Sequence, residues 1–287
     1  MDRTGHNARR RRLGLTATFA AAMIGGSFTS AAPIAAAAAV DCTWQANHRR
    51  VTVSMSGASI AELSVSRTGR ILVNGNPCAA GATVNSTEDI VIDGDSADQL
   101  LRIRLGTTGF RPGFTNEPGN SDEIEFLVSS GNGDDTVAIY GRSQADDIQL
   151  GVRDGLLNTT VPNANLNANE TTGIDSDLII GHDAVEVYGM LGGDVVSGAG
   201  GAGTGKVFPN RLYIDGGEGN DTLTGGRAYD RIVGGPGADE LFGGVAGDLL
   251  VTLDNESGND RAYGGKGSDK CMINNGDAIY SCTRIYP

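Results

Sequence analysis

The sequence predicts an all-β fold, a right-handed parallel β-roll or β-helix solenoid with a small disulfide-bonded β cap at its N-terminus. Three observations support this class. Six aspartates recur at regular intervals in the last quarter of the chain, 44 of the 287 residues are glycine, and apolar residues alternate with polar ones between the first two cysteines. Glycine-rich repeats of fixed length are typical of solenoids, and alternation is typical of half-buried strands.

The last quarter repeats the pattern G-G-x-G-x-D-x-U-x, in which U is apolar and aspartate holds the sixth place. Two units, which begin at Gly216 and Gly234, fit every fixed place. Three others carry a single substitution, and the unit at residues 255–263 has lost both leading glycines. The units begin at residues 216, 225, 234, 243, 255 and 264, and their aspartates are Asp221, Asp230, Asp239, Asp248, Asp260 and Asp269.

The spacing of the repeat has a structural meaning. The Gly-Gly-x-Gly segment favours a turn in backbone conformations that only glycine adopts readily, and the x-U-x triplet then forms a short strand with its apolar side chain inward. Two units complete one turn of a roll, so Asp221 should stack on Asp239, and Asp230 on Asp248. Carboxylates about 5 Å apart repel by about 1 kcal/mol in water. A hard cation would remove this conflict, and calcium suits flexible oxygen cages better than magnesium does.

We therefore predict several calcium ions, bound at the turns by aspartate carboxylates and glycine carbonyls. The predicted metal site residues are Asp221, Asp230, Asp239, Asp248, Asp269, Asp135, Gly217, Gly219, Gly226, Gly235, Gly237 and Gly244. Asp260 is left out because its unit is degenerate. Three additional residues near Thr252–Asp254 are expected to form a bulge that breaks the stack locally.

These motifs resemble the haemolysin-type calcium-binding repeat family, the RTX repeats. The resemblance rests on the regular units, and it implies calcium ligation by the sixth-place aspartates together with turn carbonyls. Alanines in the fourth place and the degenerate unit at residues 255–263 depart from the family pattern. The ending from Asp269 to Cys282 also resembles the C-terminus of secreted actinobacterial proteins that carry these repeats.

The first 39 residues are interpreted as a secretory signal peptide, which predicts an extracellular protein. Arg9–Arg12 precede an apolar stretch at residues 13–28, and the small residues Ala35–Ala39 form a cleavage region. A membrane anchor is the alternative, although glycine, serine and threonine interrupt the apolar run. No later stretch is long and apolar enough to span a bilayer.

Charge and cysteine content agree with export and cation binding. The net charge is −13, and loss of residues 1–40 would remove five arginines but only one aspartate. Such an acidic chain disfavours nucleic acid and anionic membranes as partners. Its four cysteines allow three pairings. Cys42–Cys78 with Cys271–Cys282 is preferred, because each pair would staple one end of a solenoid whose end rungs lack a neighbour.

The remaining chain divides into three predicted parts: the β cap at residues 40–83, an irregular β-helix or roll at 84–210, and the regular calcium-binding roll at 211–287. In the irregular part, residues 130–137 nearly complete the nonapeptide, which makes Asp135 a candidate ligand. For Asp98, Asp146 and Asp194, ligation and turn capping fit equally well. Residues 158–172, rich in asparagine and threonine, are predicted to form a protruding loop.

Catalytic patterns are weak, so we expect a protein that is not an enzyme. Neither G-x-S-x-G nor H-E-x-x-H occurs, and Gly200–Lys206 resembles a phosphate-binding loop only until Val207. One alternative is a carbohydrate-active β-helix enzyme that uses Asp146–Asp147, or His182 with Asp183, as acid and base. Another is a calcium-dependent adhesin that binds cell-wall or extracellular polysaccharide or protein.

Overall fold

The computed structural model describes residues 38–107, 109–111, 124–154, 160–166, 178–180, 184–201, 204–256 and 258–285. Residues 1–37, which hold almost all of the predicted signal peptide, lie outside these ranges, as do His182 and Asp183. The described residues belong to one unit, Ala36–Pro287. Within them the regular elements are strands, and none is an apolar helix of membrane-spanning length.

Short strands follow one another along the described chain. The first twelve are β1 Ala39–Gln45, β2 Arg50–Ser56, β3 Ile60–Val65, β4 Ile71–Val73, β5 Asn76–Pro77, β6 Asp89–Asp93, β7 Leu100–Arg104, β8 Glu125–Ser129, β9 Thr136–Tyr140, β10 Asp147–Asp154, β11 Thr160–Asn165 and β12 Leu178–Ile179. The others are β13 Ala184–Tyr188, β14 Val195–Ser197, β15 Leu212–Asp215, β16 Thr222–Thr224, β17 Arg231–Val233, β18 Glu240–Val245, β19 Leu249–Val251, β20 Arg261–Lys266, β21 Lys270–Met272, β22 Ala278–Tyr280 and β23 Thr283–Ile285.

Two sheets share these strands. The 12-stranded sheet has the order β1-β2-β6-β8-β12-β11-β10-β14-β16-β18-β20-β22, and the 11-stranded sheet has the order β23-β21-β19-β17-β15-β13-β9-β7-β3-β4-β5. From β13 onwards the chain alternates between the sheets, so each rung gives one strand to each of them. Pairing there is parallel throughout. The predicted all-β class with parallel strands is confirmed.

The apolar place of each repeat fills the space between the sheets. Leu223 pairs in register with Leu241, and Ile232 with Leu250, and all four side chains are fully buried. The residues on either side of each are only partly buried in β16 and β17, because successive side chains of a strand point to opposite faces. The predicted stacking of units 18 residues apart is therefore confirmed.

Both preferred cysteine pairs form disulfides, and the described chain contains no free cysteine. Cys42 lies in β1, which pairs antiparallel with β2, and Cys78 follows directly after β5. Cys271 occupies the apolar place of the last repeat and is fully buried. The sulfur bridge thus continues the row of core side chains into the final rungs.

Two local predictions were wrong. Thr160–Asn165 is a strand, β11, that pairs antiparallel with β10, although residues 158–159 and 167–172 of the predicted loop lie outside the described residues. The additional residues near Thr252–Asp254 do not break the stack, because β18 and β20 still pair in parallel across them. They fit into the turn before β20, where Asp254 accepts the amide of Glu256 at 2.8 Å.

Truncation of a stacked core leucine should destabilise the roll. Leu241 is fully buried, so Leu241→Ala should lose about 2–5 kcal/mol of unfolding free energy in urea, because the neighbouring rungs cannot close the cavity. Leu127 is 38 % exposed on β8 and provides the matched control. Leu127→Ala should lose less than about 1 kcal/mol. Equal losses for the two variants would contradict the proposed packing.

Candidate metal centre

Two columns of turns run along the edges of the stacked sheets. In the first column the chain passes from the 11-stranded to the 12-stranded sheet, and an aspartate directly precedes the new strand. In the second column it passes in the opposite direction. The first column contains turns 141–146, 189–194, 216–221, 234–239 and 255–260, and the second contains turns 130–135, 225–230, 243–248 and 264–269.

Hydrogen bonds between rungs link the aspartates into two ladders. Each backbone N–H at the aspartate place donates to Oδ1 of the aspartate on the next rung. In the first ladder these bonds are Asp146 to Asp194 at 2.7 Å, Asp194 to Asp221 at 2.7 Å, Asp221 to Asp239 at 2.9 Å and Asp239 to Asp260 at 2.7 Å. In the second they are Leu212 to Asp230 at 2.8 Å, Asp230 to Asp248 at 2.8 Å and Asp248 to Asp269 at 2.9 Å.

The other carboxylate oxygen of most ladder aspartates is buried without a hydrogen-bond partner. Among the described residues this holds for Oδ2 of Asp194, Asp221, Asp239, Asp248, Asp260 and Asp269. We call these six the open carboxylates. A buried anionic oxygen without a donor is unfavourable unless a cation or proton compensates it. The ladders therefore hold a row of oxygens that still lack a counter-charge.

In two ladder aspartates, Oδ2 accepts a hydrogen bond from a backbone amide of the same turn. Oδ2 of Asp230 accepts the backbone N–H of Gly226 at 2.6 Å. Oδ2 of Asp146 accepts the N–H of Arg142 at 2.6 Å, and its Oδ1 contacts Nε of the same arginine at 2.5 Å. Both turns lack glycine in the fourth place. A degenerate turn can thus satisfy its aspartate internally.

Burial raises the pKa values of several ladder aspartates. For Asp239 it raises the pKa to about 7, the amide of Asp221 lowers it, and the charges of Asp221 and Asp260 raise it. The pKa values of Asp194 and Asp248 are also raised to about 7, mainly by burial. Near neutral pH these carboxyl groups can therefore bind either a proton or a cation.

In turns 216–221 and 234–239 the first and fourth places need glycine for steric reasons. A Cβ on Gly216 would lie 2.2 Å from Oδ2 of Asp221 and 2.7 Å from the carbonyl oxygen of Gly234 on the next rung. A Cβ on Gly237 would lie 1.6 Å from the carbonyl oxygen of Gly219. Gly219 and Gly237 have φ of 143° and 142°, which favour glycine in any case.

The same close approaches show which way the carbonyl groups face. Oxygens of the second and fourth places, such as those of Gly217 and Gly219, lie directly against the turn of the next rung, at Gly235 and Gly237. No three histidine, cysteine or acidic side chains cluster within the described chain, so carboxylates alone would not complete a cation site here. Carboxylate and carbonyl oxygens together form the ligand set that calcium prefers.

The predicted site residues fall into three groups. Asp221, Asp239, Asp248 and Asp269 carry open carboxylates, and Gly217, Gly219, Gly235, Gly237 and Gly244 form turns with positive φ. Asp230 and Gly226 instead bond to each other. Asp135 accepts the amide of Gln99 at 2.8 Å, and it lines a pocket with Gly131, Asn132 and Asp134.

The predicted metal site residues leave out two open carboxylates, one in a degenerate unit and one for which ligation and turn capping fit equally well. Asp260 continues the first ladder although its unit lost both leading glycines, and Asp194 begins the series of open carboxylates 27 residues before Asp221. Gly189, Gly192 and Gly193 before Asp194 were the available signal. Asp146, considered above as a catalytic acid, is held by Arg142.

Comparison with known families supports the metal assignment. Residues 215–250 and 256–277 match the model of the RTX calcium-binding nonapeptide repeat, in 4 copies. No curated protein and no solved structure matches the chain significantly. The repeats at residues 215–277 are therefore RTX repeats, and the matched family is a calcium-binding one rather than a catalytic one. Turns 189–194 and 141–146 lie outside the matched residues.

Without metal, the roll should lose stability as the pH rises. Because burial raises the pKa of Asp194, Asp239 and Asp248 to about 7, the folded state binds protons more tightly than the unfolded chain. This contribution is complete below about pH 4 and is lost as the pH passes through about 7. Melting in metal-free buffer should thus give a lower Tm at pH 8 than at pH 5.

Calcium should reverse this trend, because it competes with the proton for the same carboxylates. At pH 8 with calcium the Tm should exceed the metal-free value, and at pH 5 calcium should have little effect. Asp239→Asn removes one titrating group and should reduce the pH dependence. A metal-free Tm that rises from pH 5 to pH 8 would contradict the raised pKa values.

Proposed function

We propose that this chain is a secreted calcium-binding repeat protein whose roll folds around several calcium ions. One observation supports this most directly: six buried aspartate oxygens without a donor line turns whose carbonyl groups face the next rung. Five of the six, Asp221, Asp239, Asp248, Asp260 and Asp269, lie inside the RTX match. The function that we propose is metal binding and metal-dependent folding, not catalysis.

Aspartates and glycines would have different roles in binding the metal. Amide-to-carboxylate bonds hold each Oδ1, which orients the aspartate side chain and leaves Oδ2 directed into its turn. Glycines with positive φ let the carbonyl groups of one turn lie close against the next turn. Calcium would supply positive charge that cancels the repulsion within each ladder. Our proposed ligands are the open carboxylates with carbonyls of the second and fourth places.

The proposal includes a location and an architecture. Residues 1–39 would serve as a signal peptide that is removed on export to a calcium-rich extracellular medium, where modules of this kind bind with Kd of about 10⁻⁴–10⁻³ M. We further propose that the roll is right-handed, as nearly all parallel crossovers are. The disulfide-bonded segment at residues 40–83 would cap the first rungs.

Calcium should drive folding of the chelated protein. Titration followed by circular dichroism should show β-structure and Tm rising with calcium, and magnesium at equal concentration should do much less. A site at ten times its Kd contributes about 1.4 kcal/mol, so several sites can decide whether the roll folds. If neither signal responds to calcium, the proposed function is wrong.

Asp239→Asn tests the assignment of a single ladder residue. In saturating calcium it should lower the Tm by roughly 3–5 °C, because one ion is held less well. Without calcium it should be neutral or stabilising, because it removes a buried charge. Asp93→Asn, at the exposed last position of β6, is the matched control and should change the Tm little in either condition. Equal behaviour of the two variants would refute the assignment.

A further inference from the structure

Turn 189–194 has the geometry of the RTX turns although its sequence does not match them. It reads Gly-Met-Leu-Gly-Gly-Asp, so methionine stands where the repeat has its second glycine, and it precedes the matched residues. Met190 nevertheless has φ of 80°, and Gly192 has φ of 131°. The corresponding residues of the next turn, Gly217 and Gly219, have φ of 96° and 143°. A methionine therefore takes a conformation that normally requires glycine.

The carbonyl groups of this turn face its neighbour as those of the RTX turns do. A Cβ on Gly217 would lie 2.2 Å from the oxygen of Met190, and a Cβ on Gly219 would lie 1.5 Å from that of Gly192. One rung further, the equivalent distances at Gly235 and Gly237 are 2.1 and 1.6 Å. Turns 189–194 and 216–221 thus stack as closely as two matched turns.

Asp194 supplies an open carboxylate at this position. Its side chain is fully buried, Oδ1 accepts the amide of Asp146, and Oδ2 has no hydrogen-bond partner in the part of the chain that the structure describes. A Cβ on Gly189 would lie 2.4 Å from that Oδ2 and 2.3 Å from the carbonyl oxygen of Gly216. A carboxylate oxygen and a carbonyl oxygen of the next turn therefore meet above Gly189.

The next turn upstream shows how a ladder position is satisfied without metal. In turn 141–146 the guanidinium and the amide of Arg142 bind the carboxylate of Asp146. No such arginine follows Gly189, where the equivalent residue is Met190. Arg142 acts on Asp194 only through its charge, and within the described chain its guanidinium donates to Asp146 rather than to Asp194.

We propose that turns 189–194 and 216–221 hold a calcium ion at a site outside the matched repeats, with Asp194 as its carboxylate ligand. This inference rests on the proposed function, because it assumes that the matched turns bind calcium. The first column of sites would then extend one rung upstream and end at Arg142, whose side chain replaces the ion.

Counting bound ions in single-site variants tests the site. Calcium bound per chain is measured by equilibrium dialysis at saturating calcium, with circular dichroism to confirm the fold. Asp194→Asn should bind one ion fewer than the unchanged chain. Asp239→Asn, within the matched repeats, should also lose an ion, whereas Asp146→Asn should lose none.

The outcomes separate this inference from the function on which it rests. If the unchanged chain binds no calcium, the proposed function is overturned and the inference with it. If Asp239→Asn loses an ion and Asp194→Asn does not, only the inference is overturned.

Crystals of the unchanged chain grown with calcium give a test that needs no variant. An anomalous-scattering peak between turns 189–194 and 216–221 would support the site even if Asp194→Asn failed to fold. Peaks at the matched turns with none here would overturn it.

Discussion

A hydrogen bond from one aspartate's amide to the carboxylate of the next rung is the interaction on which the rest of the roll depends. It fixes the register between rungs, because each amide reaches only the aspartate beside it. It also occupies Oδ1, which directs Oδ2 back over the first place of its own turn. There the oxygen meets a carbonyl from the next rung, as at Gly216, and no Cβ can be accommodated.

The ladders place carboxylate charges in buried positions, and the protein's own groups compensate only some of them. At Asp146 an arginine neutralises the carboxylate, and at Asp230 a backbone amide shares its charge. At Asp239 burial keeps the pKa near 7. The roll is therefore least stable when its carboxylates are ionised and no metal is bound. Its stability depends on the pH and the metal content of the solution.

Much of this structure could be predicted from the sequence, because the repeat is rigid where it is regular. Leu223 and Leu241 are 18 residues apart and stack as the spacing requires. Stacking, however, depends on which strands pair, and not on a fixed spacing in the sequence. The amide of Asp194 therefore donates to the carboxylate of Asp221 across 27 residues, without an obvious repeat. The bond between Gly226 and Asp230 depends on the orientation of one peptide group, which the sequence pattern does not encode. Pairing of β11 with β10 depends likewise on contacts that local composition does not reveal.

The ladders also have a direction. Each bond runs from an amide on one rung to an aspartate on its C-terminal side, from Asp146 to Asp260 and from Leu212 to Asp269. The amide at the aspartate place of a rung therefore finds this acceptor only on the rung that follows it. During synthesis from the N-terminus, that amide lacks its carboxylate acceptor until the following rung has been made. The ladder bonds of each rung are thus complete only after its C-terminal neighbour has folded onto it.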